Sequence, residues 1–469
     1  MSHAESVLAQ LPEEIVTRDQ DIISAYTTDF RRQYTGHTPA VLRPRTVAEV
    51  QHIIRACAAA KVPLVPQGGN TSYCTAATPG VAGDELVVSL ERMNKVRDLD
   101  PANLSVTAEA GMILCDLQTA AADADLLLPL SLGSQQSCRI GGNLSTNAGG
   151  VSVLRYGMTR DLVLGLEVVL PDGSLYSELN PLRKNNTGYD VKQLFIGAEG
   201  TLGIITAVSL KLVRRPRQTI TAFLAIADID SVATVLDAAQ RSTGEAITSF
   251  EYISDSSLEL LLKAKPELRH PLQEKSSHYV LLEAATASTV LNLEDTVTSL
   301  LAELFENNLL IDGTVAASGQ QRTDFWRLRE SIPEAEVFHG GSIKHDIAVR
   351  TSRLAEFIQE ATSIVRSATP GATLSIYGHV GDGNVHFNVV PPDSTDIGHF
   401  KLLFEEEAAP KIYDLAYYMG GTFSAEYGIG RTKLKLLECY AAPGKLALMR
   451  MLKDVLDPSA IMNPGKIVS

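Results

Sequence analysis

Residues 129–150, PLSLGSQQSCRIGGNLSTNAGG, limit what this chain can fold into more than any other stretch. Glycine lets backbone approach a ligand closely, and short hydroxyl and amide side chains supply donors for phosphate. Alone, such a run is more often an irregular surface loop than a site. Two companions change that reading. Gln67-Gly68-Gly69-Asn70-Thr71-Ser72 precedes it, and Gly197-Ala198-Glu199-Gly200-Thr201-Leu202-Gly203-Ile204 follows it. Each is bordered by β-branched, strand-like residues. Three such loops imply a large phosphate-bearing cofactor wrapped by several turns. The positions nominated to hold it are Gln67 to Ser72, Ser131, Gly133, Ser134, Gly141, Gly142, Asn143, Asn147, Gly149, Gly150, Glu199, Gly200, Gly203 and Ile204.

Size and charge then narrow the class. With 469 residues the chain has room for two or three domains and a large core. A formal net charge of −14 argues against a nucleic-acid surface, which needs clustered Lys and Arg. No apolar run reaches membrane-span length, and residues 1–20 lack the apolar centre of a signal peptide. The five cysteines are scattered with no CxxC, which fits reduced thiols in a cytoplasmic protein.

In chain order, residues 1–35 suggest short helices. From Ala40 the pattern becomes strand, helix, strand: 41–44, a capped helix over 46–60, then 62–66 leading into the first glycine loop. Strands follow over 86–90, 105–109, 163–170 and 204–213, with a helix over 114–123. The charged, proline-broken stretch Arg214-Arg215-Pro216-Arg217 ends the first domain. Beyond it, two rounds of strand, helix and strand run over 219–252 and 278–315, suggesting an antiparallel sheet in an α+β layer. From Thr422 the text turns helical and ends in Asn463-Pro464-Gly465-Lys466, with Asn463 a further cofactor candidate. The expected domains are 1–215, 216–420 and 421–469.

A second motif carries chemistry: Tyr377-Gly378-His379-Val380-Gly381-Asp382-Gly383-Asn384-Val385-His386-Phe387-Asn388. Asp-Gly between strand-like runs signals a two-residue type I′ hairpin turn. Centred on Asp382-Gly383, it sets His379 opposite His386, with Tyr377 and Asn388 on the same face. Opposed Cβ atoms lie about 4.5–5.5 Å apart, within reach of one divalent ion. Glu426 is the third candidate ligand; two histidines and a carboxylate leave positions open for substrate. Arg329, beside the single tryptophan, and Lys344, beside a glycine pair, could fix an anionic substrate.

No Gly-x-Gly-x-x-Gly opens a helix, which disfavours a Rossmann site for NAD. The glycine loops instead resemble those of the vanillyl-alcohol oxidase and p-cresol methylhydroxylase (PCMH-type) flavoproteins. The second-half motifs WRLRESIPEAE, GSIKHDI, GHVGDGNVHFN and SAEYGIG are similar to the D-2-hydroxyglutarate and D-lactate dehydrogenase branch. The resemblance implies an α+β fold: a PCMH-type FAD-binding domain of two α/β subdomains, an antiparallel-sheet substrate domain and a helical C-terminal segment. It implies FAD, and non-covalent FAD because Asn70 stands where some members carry a linking histidine. It further implies zinc at His379, His386 and Glu426, with Arg329, Lys344 and Asn388 holding substrate. Two positions depart from the branch: Tyr427 replaces a histidine assigned as base, and Pro333 replaces a substrate-contacting threonine.

The expectation is therefore an FAD- and divalent-metal-dependent oxidation of a D-2-hydroxy acid, D-2-hydroxyglutarate first, with D-malate and D-lactate behind it. Tyr427, His379 and His386 are the catalytic candidates. The alternatives are a related flavin oxidase with Tyr427 as base, or a silent flavin- or metal-binding protein. The sequence leaves the acceptor open among electron-transfer flavoprotein, quinone and oxygen, and a homodimer would be unsurprising.

Overall fold

A computed structural model describes residues 2–393 and 395–468. Its contacts group the chain into two units. One comprises Met1–Gly149, Gly157–Arg215 and Glu426–Ser469; the other comprises Gly150–Tyr156 and Pro216–Ala425.

The first unit holds two larger sheets. The smaller has strand order Val16–Thr17, Val41–Leu42, Leu86–Ser89, Leu64–Gln67, and its last three strands are parallel. The helix Val47–Ala60 makes the crossover between Val41–Leu42 and Leu64–Gln67. Thr46 caps it by accepting from the Glu49 N–H at 3.2 Å, and Val50, Ile53, Ile54 and Cys57 face inward at helical spacing. The other sheet runs Val96–Asp100, Ser105–Glu109, Ile204–Lys211, Val163–Val169, Leu175–Glu178. It is antiparallel throughout, so only the first of the two expected subdomains carries a parallel βαβ crossover.

The second unit is organised by one seven-stranded antiparallel sheet. Its order is Leu310–Val315, Gln218–Ile226, His278–Thr286, Ile247–Ser254, Thr373–Gly378, Asn384–Val390, Asp346–Ala348. Period-two alternation gives it two apolar faces. Leu224, Phe250, Leu282, Val385 and Phe387 pack against Ser231–Thr243, Leu293–Glu306 and Leu354–Ala368. Phe223, Ile253, Leu281 and Tyr377 pack against Asp255–Ala264, Gly319–Glu330 and Ile332–Phe338. Each fully buried side chain of this size contributes about 1.5–3 kcal/mol.

The segment Gly150–Tyr156 joins this unit although it lies within the first half of the chain. Leu154 packs so close to Gly381 that a Cβ there would come within 2.8 Å of it, and Arg155 donates to the Ala285 carbonyl. Gly150, nominated with the cofactor loop, therefore groups apart from Gly149. The helical stretch expected from Thr422 begins only at Leu434. Thr422 and Ser424 instead bridge to Ala348 and Asp346, and Gly428 and Gly430 take φ of 72° and 51°, where no α-helix runs.

Candidate active site

The histidine motif folds as a hairpin, but not with a two-residue turn. The strands end at Gly378 and resume at Asn384, and Tyr377, rather than His379, lies opposite His386. The connecting loop curls back on the His379 carbonyl, which accepts from Asp382 N–H at 3.1 Å and Asn384 N–H at 3.2 Å. The slip is two residues, so parity survives and both histidines keep one face. Their rings meet edge to face with centroids 5.4 Å apart, and the Tyr377 ring lies 5.2 Å from His386.

Glu251 organises this face. It projects from the central strand Ile247–Ser254 and is 1% exposed. Its carboxylate accepts from His379 Nδ1 at 2.6 Å and from Arg329 Nε at 2.9 Å. Burial works to raise the Glu251 carboxyl, but the imidazole and guanidinium beside it prevail and hold it below the usual carboxylate range. With its Nδ1 proton turned to a carboxylate, His379 presents Nε2 as a ligand atom, the usual arrangement behind a metal-binding histidine. Asp346 Oδ1 lies 4.0 Å from His386 Nδ1 and accepts from Asn384 Nδ2 at 3.0 Å. The segment ending at Ala425 is tied to the sheet by the Ala425 N–H on the Asp346 carbonyl at 3.2 Å, one residue before Glu426. Ligand atoms of His379, His386 and Glu426 all lie within 4.8 Å of one another. A tetrahedral ion with bonds of about 2.1 Å needs about 3.4 Å between ligands, a closure that side-chain rotation supplies. The donor set of two nitrogens and one carboxylate fits a divalent ion with an open position.

Arg329 is 6% exposed on the helix Gly319–Glu330, and its guanidinium stacks 4.7 Å over the Tyr377 ring. Among the described residues Nε to Glu251 is the only hydrogen bond this side chain makes, so the terminal nitrogens remain for a carboxylate. From Tyr377 the network continues. Asn388 Nδ2 donates to Tyr377 Oη at 3.2 Å and to Glu336 Oε1 at 2.9 Å. Glu336 Oε2 accepts from Lys344 Nζ at 2.6 Å and Ser342 Oγ at 2.7 Å. The structure thus joins Arg329, Asn388 and Lys344 into one polar layer. Tyr427, the base candidate next after Glu426, packs edge to face on Tyr73 at 4.7 Å, with Lys433 Nζ 5.7 Å from its ring.

Glu251 and Glu336 escaped the sequence reading. For Glu251 there was a signal. A lone glutamate between Phe250 and Tyr252 in a strand has no way to stay charged in an apolar layer without partners.

In the first unit the glycine loops come together. A Cβ on Gly69 would lie 2.2 Å from the Ser137 carbonyl, and one on Gly200 3.0 Å from Pro66 Cγ. Asn463 Nδ2 donates to the carbonyls of Ala76 and Glu199 at 2.9 and 2.6 Å, joining the C-terminus to two of the loops. Several nominated residues serve the loops themselves. Gln67 donates to the Tyr26 and Ala77 carbonyls, and Asn70, at φ 53°, to the Thr28 carbonyl. Asn147 accepts from Arg160 N–H, and the Glu199 carboxylate accepts from Ile429 and Gly430 N–H at 2.7 Å each. By contrast, Asn143 Oδ1 and Asn463 Oδ1 are buried acceptors that make no hydrogen bond among the described residues. Beside Gly133 and Gly142 there is open space where a Cβ would sit. FAD carries N–H and hydroxyl donors of the kind those orphan acceptors lack, so the loops fit it.

A family described as FAD linked oxidases, C-terminal domain, matches residues 215–467, and one described as FAD binding domain matches 38–177. The chain belongs to the FAD-linked oxidases. It is an FAD-dependent oxidoreductase. A D-2-hydroxyglutarate dehydrogenase from Stutzerimonas stutzeri is 36% identical over 458 residues, covering 97% of this chain and 96% of the relative. A probable mitochondrial D-2-hydroxyglutarate dehydrogenase from Oryza sativa subsp. japonica is also 36% identical, over 453 residues, covering 97% of this chain and 79% of the relative. The solved structure of p-cresol methylhydroxylase superposes with a TM-score of 0.76 at 17% identity, covering 99% of this chain and 96% of that one, which establishes the PCMH-type fold. Among the described residues no helix is long and apolar enough to cross a membrane.

Proposed function

We propose that this FAD-linked oxidase oxidises a D-2-hydroxy acid to the 2-oxo acid, D-2-hydroxyglutarate foremost, with D-malate and D-lactate in the same class. The relatives named as D-2-hydroxyglutarate dehydrogenases support that substrate. The observation that carries the reading is the Glu251 bridge: one buried carboxylate holds both a metal-ligand candidate, His379, and the free-ended guanidinium of Arg329.

Bound FAD would supply the two-electron acceptor for the C2 hydride, and a divalent ion at His379, His386 and Glu426 would supply Lewis-acid polarisation of the C2 hydroxyl. The chain does the rest. Arg329 presents its terminal nitrogens to the C1 carboxylate, while its stack on Tyr377 and bond to Glu251 fix the plane of the fork. Glu251 fixes the His379 tautomer at the same time. Asn388 and Lys344 line the continuation of the layer toward the substrate's far end. Tyr427, as its phenolate, would take the hydroxyl proton in place of the branch's histidine. The loops 67–72, 131–150 and 199–204 with Asn463 hold the flavin without a covalent bond.

An anaerobic titration tests this. The flavin band should bleach with D-2-hydroxy acids and persist with their L enantiomers. Persistence with every D-2-hydroxy acid would refute the reading.

A further inference from the structure

Both cations nominated to hold substrate are met by buried carboxylates, and the two pairings differ. Glu251 divides its charge between Arg329 and His379, whose other nitrogen faces the candidate metal position. With His379 neutral, Arg329 and Glu251 also sum to zero, and a divalent ion at the candidate position would make the surroundings of the C1 carboxylate net positive. Among the described residues Glu336 has no second cation. It is 1% exposed and accepts from Lys344 Nζ at 2.6 Å; its remaining donors, Ser342 Oγ at 2.7 Å and Asn388 Nδ2 at 2.9 Å, are neutral. The Lys344–Glu336 pair sums to zero charge. An ammonium has three donors, so Lys344 could still reach a second carboxylate. That carboxylate would leave the subsite at net −1, with its charge close to the Glu336 oxygens in a desolvated layer, and like-charge repulsion offsets the contact.

Resting on the D-2-hydroxy acid reading above, we propose that Glu336 is a specificity-determining residue. By holding the half-buried Lys344 in an ion pair, it removes the net positive charge that would select a second carboxylate. D-2-hydroxyglutarate stays the foremost substrate, but its terminal carboxylate gives it less than about a ten-fold advantage over a monocarboxylate of the same chain length.

The probes are D-2-hydroxyglutarate and D-2-hydroxyvalerate, which share a five-carbon chain and differ in the terminal carboxylate. A carboxylate on an unopposed half-buried lysine is worth about ten- to hundred-fold. For the wild-type holoenzyme the ratio of kcat/KM, dicarboxylate over monocarboxylate, is expected below about ten. In Glu336→Gln, which frees the ammonium, the ratio should rise by about ten-fold or more, and the double variant E336Q/K344Q should lose that gain. A wild-type ratio above about ten overturns the proposal, as does a flavin-replete Glu336→Gln whose ratio equals wild type. If Glu336→Gln fails to fold, the wild-type ratio alone decides. If neither probe bleaches the flavin, the D-2-hydroxy acid reading itself has failed.

Discussion

Replacing Glu251 by glutamine isolates what the bridge contributes. The carboxylate is 1% exposed and makes two charge-assisted bonds, 2.6 Å to His379 and 2.9 Å to Arg329. Glutamine keeps the volume and one acceptor, but its amide NH2 turns a donor toward whichever partner it faces. One of the two bonds is lost, and a buried guanidinium or imidazole loses its counter-charge. Breaking a buried charged pair costs about 3–5 kcal/mol, and the retained acceptor returns part of that, so a loss of roughly 2–4 kcal/mol in unfolding free energy is expected by urea titration. Orientation of His379, the proposed metal ligand, is lost too, and loss of such a supporting carboxylate typically weakens metal affinity about 10–100-fold. Elemental analysis after dialysis should therefore show metal depleted in Glu251→Gln but retained in Arg329→Ala, which leaves the Glu251–His379 bond in place. Arg329→Ala should instead raise KM with FAD content unchanged.

The same carboxylate has a pH signature. Its folded value is held below the usual range, so its stabilisation is fully present above the unfolded value of about 4.3 and is lost as pH falls through the folded value. The wild-type acid limb below about pH 4.3 should thus be steeper than that of Glu251→Gln. Wild-type metal content, stability and kcat/KM in a folded Glu251→Gln would refute the bridge as an organising element.

Three further outcomes follow from the same geometry. Chelation should abolish flavin reduction while the colour is retained, and His386→Ala should behave likewise; Val385→Ala, which faces the apolar side of the same strand, should lose stability yet keep metal by elemental analysis. Acid precipitation should leave the yellow flavin in the supernatant, because the 67–72 loop offers no linking histidine; colour in the pellet would reverse that. Burial pushes the Glu199 carboxyl up to about 7 against the pull of the Ile429 and Gly430 N–H groups, so the folded state binds a proton that the unfolded state has released. Stability from this group should fall as pH rises from about 4.3 to 7, and Glu199→Gln should flatten that slope in thermal melts across the same window.

What the sequence made legible is local, and what it hid is distant. Glycine pairs, the Asp-Gly signal and period-two alternation placed the loops and put both histidines on one face, because each depends on neighbours a few residues away. The hairpin register was out of reach for the same reason. Parity follows from alternation, but loop length depends on how the 379–383 turn packs, and there Gly381 meets Leu154 from a segment more than 200 residues earlier. Glu251 lies 78 residues from Arg329 and 128 from His379, so no spacing rule links them. Glu336 shows a finer limit. Glu334, two positions before it on the same helix, has a side chain 70% exposed, whereas that of Glu336 is 1% exposed. Two residues turn an α-helix by about 200°, so the pair point to opposite sides, and deciding which faces inward requires knowing where the sheet lies.

The two hidden residues share a cause that could have been reasoned forward. Nominating Arg329 and Lys344 to hold an anion in a buried site places positive charge where water is scarce, and a protein interior tolerates that only with anions alongside. The cations were therefore an incomplete description that called for buried acids. Glu251, set between aromatic residues in a strand where every residue is buried, was the place to look first. Electroneutrality of the buried layer is a constraint on the sequence that neither motif spacing nor hydrophobic periodicity contains, and it is the constraint that turns a set of candidate ligands into a site.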